Sequence, residues 1–238
     1  DTIDSFGPDW GTPEYESWLA KLPHNETFAG SVEAGINGAY TREVAPVVRP
    51  HHFGDLASLL VGKVHKSRGG VPGPNYYIPS NQSKMTADEV VSYASMVAMF
   101  RSSWWPAGAL SEMDNFTLAL LTNDAVIRVT MMSTRTRQVP DAINHSLQGP
   151  GIVWTSDDTE ESWKYVLLIN LHPNKTMTTA VHFAELGLLP TENCAVLDLW
   201  SGKAMTPARA MLSYSLLPHA SKLLRLSACD GQAQAVLI

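Results

Sequence analysis

The chain has 238 residues, 45% of them hydrophobic and 17% charged, and a formal net charge of -6. So much apolar material builds one large or two small cores, which excludes a tail or a linker. The acidic balance and 17 scattered Lys and Arg leave no footprint for nucleic acid or anionic membrane, and no apolar run is long enough to be a transmembrane segment.

Residues 1–6 (DTIDSF) are short and acidic, and a start on Asp1 in place of Met reads as a processing boundary. Read alone, Asp1 and Asp4 are solvated loop carboxylates. Residues 7–43, rich in Pro, Gly and Trp with one short helix at 14–22, read as an insertion. Residues 44–49 (VAPVVR) read as a short buried strand, followed by 51–62 (HHFGDLASLLVG). His51 and His52 fit a hydrogen-bonded turn better than a general base. In the loop at 69–79 (GGVPGPNYYIP), Tyr76 and Tyr77 serve as anchors more readily than as sugar-stacking rings.

The clearest element comes next. Thr86 and Glu89 form a capping box, and Met85 and Val90 are spaced as a hydrophobic staple, so a helix starts here. Val90, Tyr93, Ala94, Val97 and Phe100 continue at helical spacing to about Arg101, a stripe that must be buried. Residues 102–108 (SSWWPAG) are too apolar for a solvated loop and read as a buried strand end or tight corner. Ser111 or Asp114 caps a second helix through Leu121, and residues 125–130 read as a strand. Residues 138–150, with two Pro and a sequon, make a linker.

Beyond the linker, short runs with regular turns predict an antiparallel β-sandwich, with strands at 152–155, 163–172, 177–183, 194–199, 212–217, 221–226 and 233–237. Trp154, Trp163 and Trp200 have apolar neighbours and read as core, not as a sugar platform. Cys194 and Cys229 are either a disulfide, closing a loop of about 35 residues for roughly 3–4 kcal/mol, or two buried thiols. No His or Cys spacing fits a metal, so no metal or cofactor is expected. N-x-S/T sequons stand at Asn25, Asn81, Asn115, Asn144 and Asn174, more than the roughly one or two that chance gives, and indicate glycosylation in the secretory pathway.

The colinear series M-T-x-D-E, a helix, S-x-x-x-x-x-G-x-L, a helix ending L-x-x-N-x-x-V-I-x-V, then ELGL, DLWSGK and PHASKLLRL resembles the melibiase-type α-galactosidase and α-N-acetylgalactosaminidase family. The resemblance covers residues 50–130 and 150–227, and DLWSGK at 198–203 is its most specific piece. It implies an α/β portion followed by an all-β one: residues 1–137 as the C-terminal part of a (β/α)8 barrel, and 151–238 as an antiparallel β-sandwich domain. It also implies carbohydrate as substrate and retaining hydrolysis by two carboxyl groups. Asp1 falls on the family's acid/base, and Phe53 and Asp55 on the Trp and first Asp of its G-W-x-D-x-D-M-L segment.

Elsewhere the family's polar groups are missing. Ala57 and Ser58 stand at the second Asp and the Met that contact the sugar. Gly108, Ala109, Leu110 and Ser111 replace G-D-L-R, and residues 130–137 (TMMSTRTR) replace N-Q-D-P-L-G. Two functions follow from the resemblance. One is the C-terminal chain of a secreted or lysosomal α-galactosidase-like glycoside hydrolase. The other is a catalytically inactive relative serving as a structural or carbohydrate-binding subunit of a glycoprotein assembly. A barrel typically takes about 250 residues, yet strand material stands only near 1–3, 44–49 and 101–105. Bare apolar edges aggregate, so the expected partner is the N-terminal chain of the same precursor, separated by proteolysis, which holds the nucleophile and completes the barrel.

Overall fold

The computed structural model describes residues 59, 61–65, 80–82, 85–106, 110–139, 151–172 and 174–230. In the α/β portion, β1 (Lys63–His65) pairs antiparallel with β2 (Ser80–Gln82), Lys63 lying opposite Gln82. Helix α1 (Ala87–Met99) starts as its sequence dictates. The Glu89 amide donates to Thr86 Oγ1 at 3.3 Å, and the Thr86 amide donates back to Glu89 Oε2 at 2.6 Å. Phe100 caps its end, and Arg101 turns the chain out of the helix with φ 58°.

Leu59 and Pro106 form a parallel bridge, with the Leu59 amide donating to the Trp105 carbonyl at 2.8 Å. Two parallel segments with a helix between them in sequence are the crossover from which α/β barrels are built. Leu59, Val61, Val90, Ala94 and Leu120 seal this unit in one apolar cluster, with Trp104 against it. The corner at 102–108 differs from expectation: Trp104 is half-buried, with its Nε1 donating to Thr130 Oγ1 at 2.8 Å, whereas Trp105 is 68% exposed. Successive side chains of extended chain point opposite ways, so two adjacent Trp do not share one core.

After a single 3-10 turn at Leu110–Glu112, helix α2 (Asn115–Leu121) begins at Asp114, whose Oδ1 accepts the Thr117 amide at 2.7 Å. That bond holds the Asp114 carboxyl below its usual range. The strand expected at 125–130 is instead helix α3 (Asp124–Met132). Val126, Ile127, Val129 and Thr130 favour a strand by propensity. However, the Asn123 side chain caps the Val126 amide at 3.1 Å, and Val126 and Val129, at helical spacing, are both fully buried.

The all-β portion has two layers. A six-stranded antiparallel sheet runs β3 (Ser133–Gln138), β4 (Gly151–Asp158), β5 (Lys164–Asn170), β10 (Ser221–Asp230), β7 (Asn193–Asp198) and β8 (Lys203–Arg209). A two-stranded sheet, β6 (Met177–His182) and β9 (Met211–Leu216), faces it. Between them pack Val153, Val166, Leu168, Val181, Leu212 and Leu224. The larger sheet is buried on its other face too, where Trp154, Tyr165, Leu167 and Leu223 meet Met96, Phe100, Val126 and Val129 of the helical portion. Burial on both faces is why 165–169 reads as one unbroken apolar run (YVLLI) with no polar alternation. Phe100 and Trp154 meet edge to face with centroids 4.5 Å apart.

Two strands stood outside expectation. β8 carries Pro207 and is largely exposed, as suits an edge. β3 is polar, and it brings residues assigned from sequence to the barrel portion into the same sheet as β4, with Gln138 opposite Trp154. The strand expected at 233–237 and the linker residues 140–150 lie outside the described residues.

Candidate functional site

Asp1, Phe53 and Asp55, the expected acid/base and sugar contacts, lie outside the described residues, as do His51, His52, Ala57, Ser58, Tyr76, Tyr77, Ala109, Asn25 and Asn144. The described residue nearest in sequence to the expected sugar contacts is Leu59, which bridges to Pro106, with exposed Trp105 beside it. Asn81 lies in β2 opposite Val64, while Asn115 and Asn174 are exposed. Cys194 and Cys229 are joined in a disulfide that ties β7 to β10, with Cα atoms 4.2 Å apart. Among the described residues no group of three or more His, Cys, Asp or Glu is placed to hold a metal ion, and no helix is long and apolar enough to cross a membrane.

The described polar groups concentrate instead at the seam between α1, α3 and the six-stranded sheet. Glu89, Ser92 and Ser95 follow one another at three-residue spacing on α1 and are 2%, 0% and 0% exposed, a buried polar stripe inside an apolar helix. Each meets a partner. Glu89 Oε1 lies 2.8 Å from His219 Nδ1, and the Ser92 hydroxyl donates to the His219 carbonyl at 2.6 Å. Ser95 Oγ accepts from Trp200 Nε1 at 2.8 Å and donates to the Val91 carbonyl at 2.7 Å. The Asn123 amide that caps α3 also donates to the Leu199 carbonyl at 3.1 Å.

The local sequence explains how these partners arrive. In DLWSGK, Asp198 Oδ1 accepts the Trp200 and Ser201 amides at 3.1 and 3.3 Å, and Gly202 takes the left-handed φ of 66° that closes the β7–β8 turn. The turn aims Trp200 at α1. Lys222 pairs with the remaining Asp198 oxygen. In PHASKLLRL, His219 itself is left-handed with φ 57°, which brings its carbonyl and its ring together onto α1.

A second polar centre surrounds Asp158, whose side chain is fully buried. Its two oxygens accept from Arg128 Nε and Nη2, each at 3.1 Å, from the Tyr165 hydroxyl at 2.5 Å, and from the Glu160 and Glu161 amides at 2.9 and 3.0 Å. Burial works against the charged form, but these five donors outweigh it and hold the carboxyl below its usual range. Burial first, and then Asp158, push the Tyr165 hydroxyl well above its ordinary value. A carboxylate with both oxygens so occupied is neither nucleophile nor proton donor. Trp163 has the Arg225 and Arg128 guanidiniums over its ring at 4.0 and 4.9 Å, so its surface is taken by cations and not offered to a sugar.

Residues 148–226 match the family described as the alpha galactosidase C-terminal beta sandwich domain. No curated protein sequence matches the chain. Among solved structures, a GH27 β-L-arabinopyranosidase from Geobacillus stearothermophilus is 27% identical over 79% of this chain and 40% of its own, with a TM-score of 0.66. An α-galactosidase from Saccharomyces cerevisiae is 16% identical over 74% of this chain and 47% of its own, at TM-score 0.54, and α-galactosidase I from Mortierella vinacea is 14% identical over 60% and 36%, at TM-score 0.53. These last two show the fold alone. The chain therefore spans about 40% of the length of the Geobacillus enzyme.

Fold and match together show a chain built like the C-terminal portion of GH27 enzymes, the end of an α/β barrel followed by a β-sandwich. The chain is a divergent relative of the melibiase-type α-galactosidase and α-N-acetylgalactosaminidase family. The seam was missed from sequence, although its signal was present: Glu89, Ser92 and Ser95 interrupt an apolar helix on one side. The motifs that carried the resemblance, M-T-x-D-E, DLWSGK and PHASKLLRL, are the seam's own parts.

Proposed function

We propose that the chain is the C-terminal part of a secreted or lysosomal α-galactosidase-like glycoside hydrolase of the retaining kind. The observation that supports this best is the 27% identity to the Geobacillus enzyme over 79% of the chain, a stretch too long for the sandwich alone. In this reading a carboxylate on the N-terminal chain of the same precursor attacks the anomeric carbon while Asp1 protonates the leaving oxygen. Asp1 then takes a proton from the water that releases the sugar. Phe53 and Asp55 line the sugar. The seam holds the barrel end and sandwich as one rigid unit, so the last barrel segments keep their place. Exposed Trp105 marks the side that completing strands would cover. The disulfide and the sequons favour an oxidising compartment.

The native protein, assayed on nitrophenyl α-galactoside and nitrophenyl β-L-arabinopyranoside, is expected to turn over one of them, and Asp1→Asn to abolish that turnover. A second reading, an inactive structural or carbohydrate-binding relative, is favoured by Ala57, Ser58, Ala109 and Ser111 at positions where the family has charged or sugar-contacting groups. Sugar binding without turnover of either substrate selects it.

A further inference from the structure

Two sequons have described side chains, and the fold treats them differently. In Asn115-Phe116-Thr117 the threonine is 3% exposed and packs against Gly62, where an added Cβ would lie 3.3 Å from Thr117 Oγ1. Packing alone accounts for that threonine. In Asn174-Lys175-Thr176, at the turn between β5 and β6, both Asn174 and Thr176 are exposed, and neither side chain makes a hydrogen bond to the described residues. The turn's shape comes from other groups. His172 Nδ1 accepts the Asn174 and Lys175 backbone amides at 3.2 and 3.1 Å, and Asn170 Nδ2 donates to the Lys175 carbonyl at 2.8 Å. The turn thus presents an acceptor amide and a hydroxyl that make no hydrogen bond to the described residues.

We propose that Asn174 is an N-glycosylation site whose Thr176 serves the acceptor motif and not the fold. The co-reactant is an oligosaccharide carried on a lipid diphosphate. A bond forms between Asn174 Nδ2 and the anomeric carbon, and the bond from that carbon to the diphosphate oxygen breaks. The amide gives up one proton and the lipid diphosphate departs with the electron pair. The glycan has something to cover: Asn170 also donates to the Leu217 carbonyl at 2.9 Å, and Leu217, at the same end of the sandwich, is 58% exposed.

This rests on the secretory reading above, and the test separates the two. The full chain, placed behind a cleavable secretion signal, is translated with microsomes, and its glycans are counted by the gel shift that an endoglycosidase removes. Asn174→Gln and Thr176→Ala are each expected to lose one glycan relative to the parent. Neither change should alter the melting temperature, because neither side chain is bonded. Equal glycan counts for the parent and both variants would overturn the site. The microsomes impose entry, so that failure would leave the compartment question untouched, whereas cytosolic location of the protein in its own cells would overturn the secretory reading alone.

Discussion

Glu89→Ala probes the seam most sharply. The change removes the Thr86 amide's acceptor, a cap worth about 0.5–2 kcal/mol, and deprives His219, which is only 4% exposed, of a bond at 2.8 Å. A buried polar group left without its partner costs about 1–3 kcal/mol, so the expected total is about 1.5–5 kcal/mol. Because the cap is local, only the second part should depend on His219. The native protein is unfolded in urea and followed by Trp fluorescence, for which Trp154 and Trp200 lie in or against the same core. Stability is compared for Glu89→Ala, His219→Ala and the double variant. A coupling of about 1–2 kcal/mol between the two sites is expected, whereas non-interacting sites add to within about 0.5 kcal/mol. Additivity at that level would refute the claim that this pair joins the two portions.

Asp158 should dominate the acid limb of stability. Its folded pKa is lowered, so it contributes stability above the unfolded value of about 4 and loses it as pH falls through the folded value. Asp158→Ala is therefore expected to cost about 1–3 kcal/mol at pH 7, by leaving the buried Tyr165 hydroxyl without its acceptor and Arg128 with Glu160 alone, and to flatten the pH dependence of urea unfolding below about pH 4. An unchanged acid limb contradicts this. Gly151→Ala places a Cβ 2.7 Å from Thr179 Oγ1 between the two sheets. It should destabilise by about 1–3 kcal/mol as overpacking does, measured as a lower urea midpoint at unchanged slope. Reduction, or Cys194→Ser with Cys229→Ser, should lower stability by roughly 3–4 kcal/mol from the loop of 35 residues it reopens. Equal midpoints with and without reductant would argue against it.

Local signals were legible where one segment settled its own structure. Thr86 and Glu89 announced α1, Asp114 announced α2, and the apolar runs around Tyr165 and Leu197 announced strands. Residues 125–130 misled because β-branched propensity and helical burial compete there, and the Asn123 cap with the buried Val126 and Val129 decided the outcome. β8 was invisible because an exposed edge strand with Pro207 carries no hydrophobic alternation. The seam's polar stripe on α1 carried a signal, but its partners lay beyond reach: Glu89 meets His219 across 130 residues, and Ser95 meets Trp200 across 105. Each motif could be recognised alone, but no local rule says that they touch. The expected catalytic groups could be named only through the resemblance, because Asp1, Phe53 and Asp55 have no neighbours in sequence that define their chemistry.

Native mass spectrometry of the protein from its own cells, under non-reducing conditions, tests the central claim most directly. These residues form the closing end of a barrel plus its sandwich, so after enzymatic removal of any glycans the mass should exceed the 26.0 kDa of this chain, through a companion polypeptide or further chain carrying the remaining barrel strands. A stable, monodisperse species of 26.0 kDa that turns over a glycoside by itself would contradict it.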